Sequence, residues 1–357
     1  MNPPEIRLLL TSVGGSITPG IVESLRKIKE NSFYIVGVDM QDDAIGFAFV
    51  DKGYTVPPGD SSHYLQQIWK IIEEERLDVI LPRSDEEMLT VSHAQMEFKA
   101  MGVAVVCSNY QSVLTASDKG SMLTFLRNKG ITTPEFYLPE SAKELQEYVH
   151  LLGYPMRPVV VKPRRSRGGR GMVIVEPKPD ILAGRQFQRM PLEFLVQALN
   201  SYIPFPSVIA MEYLPGTDYS VDVLANNGRA LIIVPRTRLK SLGGMSQVGE
   251  ILPDPEVSSM VNTIVEAFGF HTNVNVQLRR SNTGVPLVYE INPRTSGTVA
   301  ATAASGHNLI YYGINLALGR PIRKVGALRT LRMTRYMKEH YVYGDIYFSG
   351  TPQVDTR

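Results

Sequence analysis

Residues 272–297 read TNVNVQLRRSNTGVPLVYEINPRTSG and carry the most informative pattern in the chain. In the first part, apolar side chains at 274, 276 and 278 alternate with polar ones, which is the period of a strand. Residues 281–284, Ser-Asn-Thr-Gly, have the composition of a turn, because Asn and Gly tolerate positive φ. A second strand is predicted over 285–291, so the stretch is expected to form a β-hairpin.

Three oxygen-bearing side chains of this hairpin are expected to converge on one point. Glu290 and Asn292 stand two residues apart and therefore project from the same face of the second strand. Gln277 lies opposite them if the two strands pair in antiparallel fashion. Mg²⁺ takes oxygen ligands and commonly shares them with the phosphates of a nucleotide. The hairpin is thus either a magnesium site, with Arg294 just beyond it, or a polar turn with a solvated face.

Bulk composition limits the class of protein. The chain has 357 residues, of which 43% are hydrophobic, enough for two or three domains with large cores. A formal net charge of +2 gives no global bias towards nucleic acid. Cys107 is the only cysteine, which excludes an intrachain disulfide and fits a reducing compartment. The first residues lack a signal-peptide pattern, and no apolar run approaches the ~18 residues that span a bilayer. We expect a soluble cytoplasmic protein without a membrane partner.

The N-terminal third alternates between strand and helix patterns. A buried strand is predicted over 6–11, a glycine-rich turn over 12–16, a helix over 19–30 and a second strand over 33–38. Asp39 follows the glycines at the distance seen in dinucleotide-binding folds, but the Gly-X-Gly-X-X-Gly pattern is absent. A structural turn is therefore favoured over a NAD site. Similar alternation continues onwards, so a doubly wound α/β domain is predicted over 1–115.

Lys119 stands in the first turn of a predicted helix that Ser117 or Asp118 would cap. A cation is slightly unfavourable there, since it meets the positive end of the helix dipole. The conflict indicates a task such as phosphate binding; the alternative is an exposed lysine.

Residues 158–175 form a second group of cations, in which two apolar strands flank a loop of glycines and basic residues. The basic residues are Lys162, Arg164, Arg165, Arg167 and Arg170, and the loop glycines are Gly168, Gly169 and Gly171. Backbone N–H groups of such a tip can wrap around phosphate oxygens while the cations offset their charge. No P-loop pattern occurs. A nucleic-acid contact would have similar composition, but the loop lacks aromatic residues for base stacking. A solvated basic hairpin is the remaining alternative.

Two further strand-and-turn segments carry charged residues. Over 208–224, Glu212 meets a Pro-Gly turn and Asp218 lies just beyond, where each could accept hydrogen bonds from an amino group or a ribose hydroxyl, or be an ordinary edge residue. Over 234–246, Arg236, Arg238 and Lys240 alternate along a strand that ends at Gly243 and Gly244. Alternate cations share one face, which suits an anionic substrate or phosphates, or is simply a charged sheet face.

These segments, in this order, resemble the ATP-grasp superfamily, and specifically its carbamoyl-phosphate-synthetase-like branch with its single-unit amino-acid ligases. The resemblance covers about residues 6–325. Its motifs are Asn275-Val276-Gln277, Glu290-Ile291-Asn292-Pro293-Arg294, Val161-Lys162-Pro163 with the glycine loop, Glu212-Tyr213-Leu214, and the Asp118-Lys119 helix followed by Gly130-Ile131-Thr132-Thr133-Pro134.

The resemblance implies a pre-ATP-grasp α/β domain over 1–115 and an ATP-grasp domain over 116–325, with a lid at about 155–213. Residues 326–357 would be a C-terminal extension whose role the sequence leaves open. ATP would lie between the lid and the C-terminal part, with one or two Mg²⁺ ions, or Mn²⁺ in their place.

Residue roles are also implied by the resemblance alone. The phosphate contacts would come from Lys119, Lys162 and the loop with Gly168, Gly169 and Gly171. The nucleoside contacts would come from Glu212, Tyr213, Leu214 and Asp218. The metal ligands would be Gln277, Glu290 and Asn292. Arg294 and Lys162 would act in catalysis, Arg294 on the transferred phosphate or the substrate carboxylate, and Arg236, Arg238, Gly243 and Gly244 would shape the substrate site.

The implied reaction is an ATP-dependent ligation. A small carboxylate, such as that of an amino acid, is activated as an acyl phosphate and joined to an amine, so the expected partners are two small molecules, and a homodimer is compatible. The alternatives are a carboxylate or carbamate kinase and a non-catalytic nucleotide- or nucleic-acid-binding protein. The single unit argues against the complete carbamoyl-phosphate synthetase reaction, and the lid loop has more arginine than such loops usually show.

Overall fold

A computed structural model describes residues 3–166, 169–179, 188–322, 326–343 and 346–349. These residues build three sheets and a separate two-stranded hairpin. Within them, no helix has both the length and the apolar composition that crossing a bilayer requires.

The first sheet forms the N-terminal domain, and all its strands run parallel in the order β3-β2-β1-β4-β5. The strands are β1 (Glu5–Leu10), β2 (Ser32–Asp39), β3 (Lys52–Thr55), β4 (Val79–Leu81) and β5 (Ala104–Val105). The helices are α1 (Thr18–Arg26), α2 (Tyr64–Glu75), α3 (Asp85–His93), α4 (Gln95–Ala100) and α5 (Tyr110–Ala116), with a 3-10 turn at Ile45–Ala48. The central strands are apolar on both faces, as in a sheet covered by helices on both sides. The predicted doubly wound domain is confirmed.

Glu87, in the first turn of α3, ties the ends of β1 and β4 together. Its two carboxylate oxygens accept hydrogen bonds from five donors. The donors are the backbone N–H groups of Arg83 and Ser84 and the hydroxyls of Thr11, Ser12 and Tyr64. Glu87 is 4% exposed and the donors Thr11 and Tyr64 are buried with it, so these two hydroxyls could not turn to water without the domain opening. The carboxylate therefore fixes the geometry of both strand ends.

Replacing Glu87 by alanine should lower the free energy of unfolding by about 3 kcal/mol, because it leaves several buried donors unsatisfied. Glu144→Ala is the matched control, since Glu144 also stands in the first turn of a helix but, among the described residues, accepts a hydrogen bond only from the N–H of Glu140. It should cost about 1 kcal/mol or less. Urea unfolding of both variants measures the difference, and equal losses would contradict a tying role for Glu87.

The second sheet has the strand order β6-β10-β7-β8-β9 and follows helix α6 (Lys119–Asn128). Its strands are β6 (Phe136–Tyr137), β7 (Val159–Pro163), β8 (Val173–Val175), β9 (Gln188–Met190) and β10 (Val208–Glu212), and its helices are α7 (Ala142–Leu151) and α8 (Leu192–Asn200). The predicted lid of about 155–213 corresponds to most of this sheet, whose first strand lies upstream of that range. The domain boundaries stay predictions.

The third sheet is antiparallel, with the order β15-β14-β11-β12-β13-β16. Its strands are β11 (Asp218–Asn226), β12 (Arg229–Leu242), β13 (Met245–Ile251), β14 (Thr272–Arg280), β15 (Pro286–Asn292) and β16 (Leu331–Thr334). Its helices are α9 (Pro255–Phe268), α10 (Ala300–Ala304) and α11 (Leu309–Ala317), and a hairpin of β17 (His340–Tyr343) and β18 (Ile346–Ser349) follows.

The hairpin of β14 and β15 has the predicted turn, with Gly284 at φ +87°. The two strands pair Gln277 with Glu290 and Asn275 with Asn292, as antiparallel alignment requires. The register shifts after Gln277, so that Tyr289 is an extra residue on β15. The apolar face of this sheet packs in one core with α9, whereas the opposite face carries the polar side chains that form the site described next.

Candidate active site

Lys119 is the first residue of α6, whose N-cap is Asp118. Its side chain is only 6% exposed. The ammonium donates to the backbone carbonyl of Ser166 at 2.9 Å and lies 3.9 Å from a carboxylate oxygen of Glu290. The unfavourable helix position noted in the sequence is thus occupied by a buried cation that reaches the third sheet.

Lys162 on β7 is the second buried cation. Its ammonium donates to the backbone carbonyl of Tyr289 at 3.2 Å and lies 5.0 Å from the centre of that ring. Burial, and then the neighbouring charge of Lys119, lower the pKa of Lys162 to about 7. Two cations that share a desolvated site without a close carboxylate for each are poised to receive an anion.

Asp118 binds the first two arginines of the basic loop. The guanidinium of Arg164 donates to one carboxylate oxygen at 3.0 and 2.8 Å, and that of Arg165 lies 3.5 Å from the other oxygen. The pKa of the Asp118 carboxyl is lowered by hydrogen bonds to Ser121 and Arg164, which together outweigh the larger opposing effect of burial. Part of the arginine excess in this loop therefore fastens the loop to α6.

The glycines of the loop are described only in part, because Arg167 and Gly168 lie outside the described residues. Gly169 and Gly171 both adopt φ +71°, a conformation that favours glycine. Gly169 lines the same pocket as both lysines. A side chain at Gly171 would meet the ring of Pro163 at 2.9 Å, so this glycine allows the close return of the loop onto β7.

Glu212, Tyr213 and Leu214 line the pocket where β10 ends. Glu212 accepts the backbone N–H of Glu135 at 3.0 Å, which holds its side chain at the edge of the second sheet. Leu214 is buried. The apolar lining comes largely from the second sheet and consists of Val160, Met172, Ile174, Met211 and Leu214.

Asp218 belongs to a hydrogen-bonded network that lines the pocket. The hydroxyl of Tyr289 lies 2.9 Å from Asp218 Oδ1 and 3.0 Å from Gln277 Oε1. Arg238 donates to the same Gln277 oxygen at 3.1 Å and lies 3.7 Å from Asp218. Burial raises the pKa of Asp218, although Arg238 opposes the shift. Strand alternation points Tyr289 away from Glu290, so the sequence pattern did not predict Tyr289 in the pocket. The extra residue in β15 turns both side chains into the pocket.

The three predicted metal ligands differ in their surroundings. Glu290 and Gln277 line the pocket, with Glu290 17% exposed. Asn292 is buried beside them, and its Oδ1 accepts a hydrogen bond from Arg294 at 3.1 Å. Within the described ranges, no group of three or more His, Cys, Asp or Glu side chains could hold a metal by itself. A hard cation here would combine Glu290 with amide oxygens and oxygens of a ligand.

Arg294 joins the third sheet to the N-terminal domain. It forms two hydrogen bonds with the carboxylate of Asp85, at 2.7 and 3.3 Å, and is not one of the pocket-lining residues. Its pKa is raised, because the charges of Asp85 and Glu290 outweigh burial. Its predicted action on a phosphate or a carboxylate stays a prediction.

The predicted substrate residues separate into two groups. Arg238 and Gly244 line the pocket. Arg236 is 1% exposed and is held by the hydroxyls of Ser220 and Ser246, with Asp222 at 3.6 Å, so it lies below the sheet surface. Gly243 has φ +54° in the turn between β12 and β13 and is not among the lining residues.

A magnesium nucleotide fits this donor set. An apolar slot suits a base, two buried ammonium groups suit phosphates, and a carboxylate beside an amide suits a hard cation. The ammonium groups and Glu290 belong to one cluster, since Lys119 lies between the Ser166 carbonyl and Glu290.

Two family models match the chain. The model described as "PylC-like, N-terminal domain" matches residues 8–106, and the model "ATP-grasp in the biosynthetic pathway with Ter operon" matches residues 204–339.

Curated relatives are distant. The N-terminal section of a carbamoyl phosphate synthase large chain from Methanopyrus kandleri is 25% identical over 305 residues, 80% of this chain and 49% of that protein. The large chain from Clostridium acetobutylicum is 22% identical over 318 residues, 85% of this chain and 28% of that protein. The chain therefore spans half or less of the length of these two relatives.

Solved structures share the fold at low sequence identity. The biotin carboxylase domain of 2-oxoglutarate carboxylase from Hydrogenobacter thermophilus, a dimer in complex with MgADP, ADP and bicarbonate, has a TM-score of 0.71 and 16% identity, covering 98% of this chain and 84% of that one. N5-carboxyaminoimidazole synthetase from Staphylococcus aureus, in complex with ADP, has a TM-score of 0.68 and 15% identity, covering 94% and 84%. The chain thus contains a PylC-like N-terminal domain followed by an ATP-grasp domain.

Proposed function

We propose that the protein is an ATP- and Mg²⁺-dependent ligase that activates a small carboxylate as an acyl phosphate and joins it to an amine. The observation that carries the proposal is the placement of Lys119, Lys162 and Glu290 in one pocket that also contains an apolar slot. The ADP and MgADP complexes of the similar structures support a nucleotide in this pocket. The relatives named carbamoyl phosphate synthase support the transfer of a phosphoryl group to a carboxylate-like acceptor.

The two lysines would hold the phosphate charge. Both ammonium groups are anchored by backbone carbonyls, so they meet the ligand without being reoriented. Cations that are already in place stabilise charge that develops in the transition state more than mobile ones do. Glu290, with Gln277 beside it, would hold Mg²⁺, which when bound neutralises phosphate oxygens. No side chain has to act as a nucleophile.

The loop after β7 would keep water from the reacting groups. Its Ser166 carbonyl accepts a hydrogen bond from the ammonium of Lys119, and its Arg164 donates to Asp118, so the first residues of the loop lie against this lysine. An acyl phosphate hydrolyses readily, and exclusion of water therefore favours attack by the amine.

A matrix of carboxylates against amines, with ADP release as the readout and mass spectrometry of the products, tests the proposal. We expect ADP to appear only when Mg²⁺, a carboxylate and an amine are all present. ADP release with a carboxylate alone, together with a hydroxamate after hydroxylamine trapping, would assign a kinase instead. Nucleotide binding without turnover for any pair would leave a nucleotide-binding protein and overturn the ligase.

A further inference from the structure

A further buried cation, Arg83, lies in the N-terminal domain, where the strand order reverses between β1 and β4. In open parallel sheets, ligands bind outside the carboxyl ends of the strands at such a point. The glycine-rich turn 12–16 follows β1, and Arg83 follows β4 after one proline. The turn and Arg83 therefore flank the place where this fold accepts a ligand, outside the pocket of Lys119 and Lys162.

Among the described residues, the guanidinium of Arg83 has no salt-bridge partner, although the charge of Glu87 acts on it from nearby. One of its terminal nitrogens donates to the hydroxyl of Thr18 at 3.3 Å, while Nε is buried and lacks a hydrogen-bond partner. No ion pair joins Arg83 to a carboxylate of the described residues, and the nearby Glu87 is engaged by hydroxyls and backbone N–H groups. Burial, and then Arg294, lower the pKa of Arg83 to about 10. A desolvated cation of this kind is stabilised when an anion binds beside it.

Helix α1 adds positive potential at the same turn. No side chain caps its N-terminus, and its first turn contains no acidic residue, so the positive end of the helix dipole is not offset there. The turn passes over Arg83, because a Cβ placed on Gly15 would lie 3.9 Å from Nη2 of the guanidinium. Two acids near the turn already have partners: Asp39 accepts the N–H of Gly14 at 2.6 Å, and Asp85 pairs with Arg294.

Arg335 approaches the turn from the third sheet. It follows β16 and donates to the carbonyl of Gly297 at 2.8 Å and to the sulfur of Met245 at 3.1 Å. The hydroxyl of Ser16 lies 3.5 Å from the same sulfur. Like Arg83, Arg335 forms no ion pair within the part of the chain that the structure describes. Two guanidinium groups that lack a salt-bridge partner among the described residues thus lie near one glycine turn, Arg335 through the Met245 sulfur that Ser16 also contacts.

We propose that Arg83 and Arg335, together with the turn 12–16 and the N-terminus of α1, bind an anionic group, carboxylate or phosphate, of the acceptor substrate. The identification of the ligand as the acceptor substrate rests on the proposed function. The existence of an anion site at this place does not depend on that function. The substrate class that follows is an acidic small molecule whose anionic group lies close to Arg294, between the N-terminal domain and the third sheet. This proposal also assigns a role to the C-terminal segment, because β16 in that segment positions Arg335.

Calorimetric titration with inorganic phosphate and with malonate, at constant ionic strength, tests the anion site without any nucleotide. Losing one charge-assisted contact should weaken binding about tenfold or more in Arg83→Gln and in Arg335→Gln. Arg332→Gln is the matched control, since Arg332 lies on β16, is 65% exposed and pairs with Glu250; it should change binding by less than about twofold. The stronger of the two probes identifies the anionic group as phosphate or carboxylate.

Further measurements distinguish a failure of the anion-site proposal from a failure of the proposed ligase function. If binding of both probes disappears only in Lys162→Met, the anions occupy the nucleotide pocket and the proposal is overturned; it is equally overturned if wild type binds neither probe or if Arg83→Gln and Arg335→Gln bind like wild type. A merely structural Arg83 would lower Tm when replaced, whereas a ligand-binding one would leave Tm unchanged and lose only the anion-induced rise in Tm. If the Arg83→Gln variant does not fold, Arg335→Gln still tests the anion site. If the protein binds the anions but does not bind ADP, the proposed ligase function is refuted and the anion site stands.

Discussion

Glu290→Gln should reduce Mg²⁺-dependent ADP formation by about 10²–10³-fold while the protein stays folded. The substitution keeps the size of the side chain and removes its charge. Glu290 is the one carboxylate among the predicted metal ligands, and the amide oxygens of Gln277 and Asn292 already accept hydrogen bonds from arginines. Glutamine at 290 would therefore leave the metal with neutral ligands only, and the apparent affinity for Mg²⁺ should fall as well.

Glu250→Gln is the matched control for Glu290→Gln. Glu250 is also a strand glutamate with a basic partner, Arg332 at 2.6 Å, but it does not line the pocket. Steady-state ADP release as a function of Mg²⁺ concentration compares the two variants. Unchanged turnover and unchanged Mg²⁺ dependence in Glu290→Gln would remove the metal from this position.

Lys162→Met should abolish turnover and yet raise stability near neutral pH. The pKa of Lys162 is about 7 in the folded protein, whereas an exposed lysine titrates near 10.5. Between these values the unfolded chain binds the proton and the folded chain does not, so this lysine makes stability rise with pH from about 7 to about 10.5. Below about pH 7 the cost of the buried charge is fully present. Methionine removes it, and we expect roughly 1–3 kcal/mol of added stability at pH 6.5.

The same pKa predicts a pH-dependent affinity for ADP. Phosphate binding favours the protonated lysine, so above about pH 7 the free protein must take up a proton to bind. Affinity should therefore fall by up to about tenfold per pH unit between roughly pH 7 and 9, and this slope should vanish in Lys162→Met. Lys143→Met is the control, since Lys143 is 87% exposed on α7. A pH-independent affinity in wild type, or a stability loss in Lys162→Met at pH 6.5, would contradict the buried charge.

Local sequence patterns were sufficient to predict the elements whose apolar and polar residues alternate regularly. Apolar strands that alternate with helix patterns predicted the parallel N-terminal domain. Lys119 stood out because a lysine after an N-cap opposes the helix dipole, and the structure shows it buried. The opposed pair of Gln277 and Glu290 followed from strand alternation and a short turn.

Other features depend on contacts that no local pattern records. Tyr289 enters the pocket because β15 holds one residue more than its partner strand at that point. This break in the alternation of side chains has no recognisable signal in the sequence. Arg236 and Arg238 alternate as predicted, but Asp222 on the neighbouring strand draws only Arg236 below the surface. The pairing of Arg294 with Asp85 spans 209 positions, and it could be found only once the two domains were brought together.

Titration of ADP into the wild-type protein, with and without Mg²⁺, tests the nucleotide site most directly. We predict one nucleotide per chain, tighter with Mg²⁺ than without it, with the Mg²⁺ effect lost in Glu290→Gln and the affinity itself lowered in Lys162→Met. Absence of ADP binding at millimolar concentration, or binding that is indifferent to both substitutions, would contradict the account.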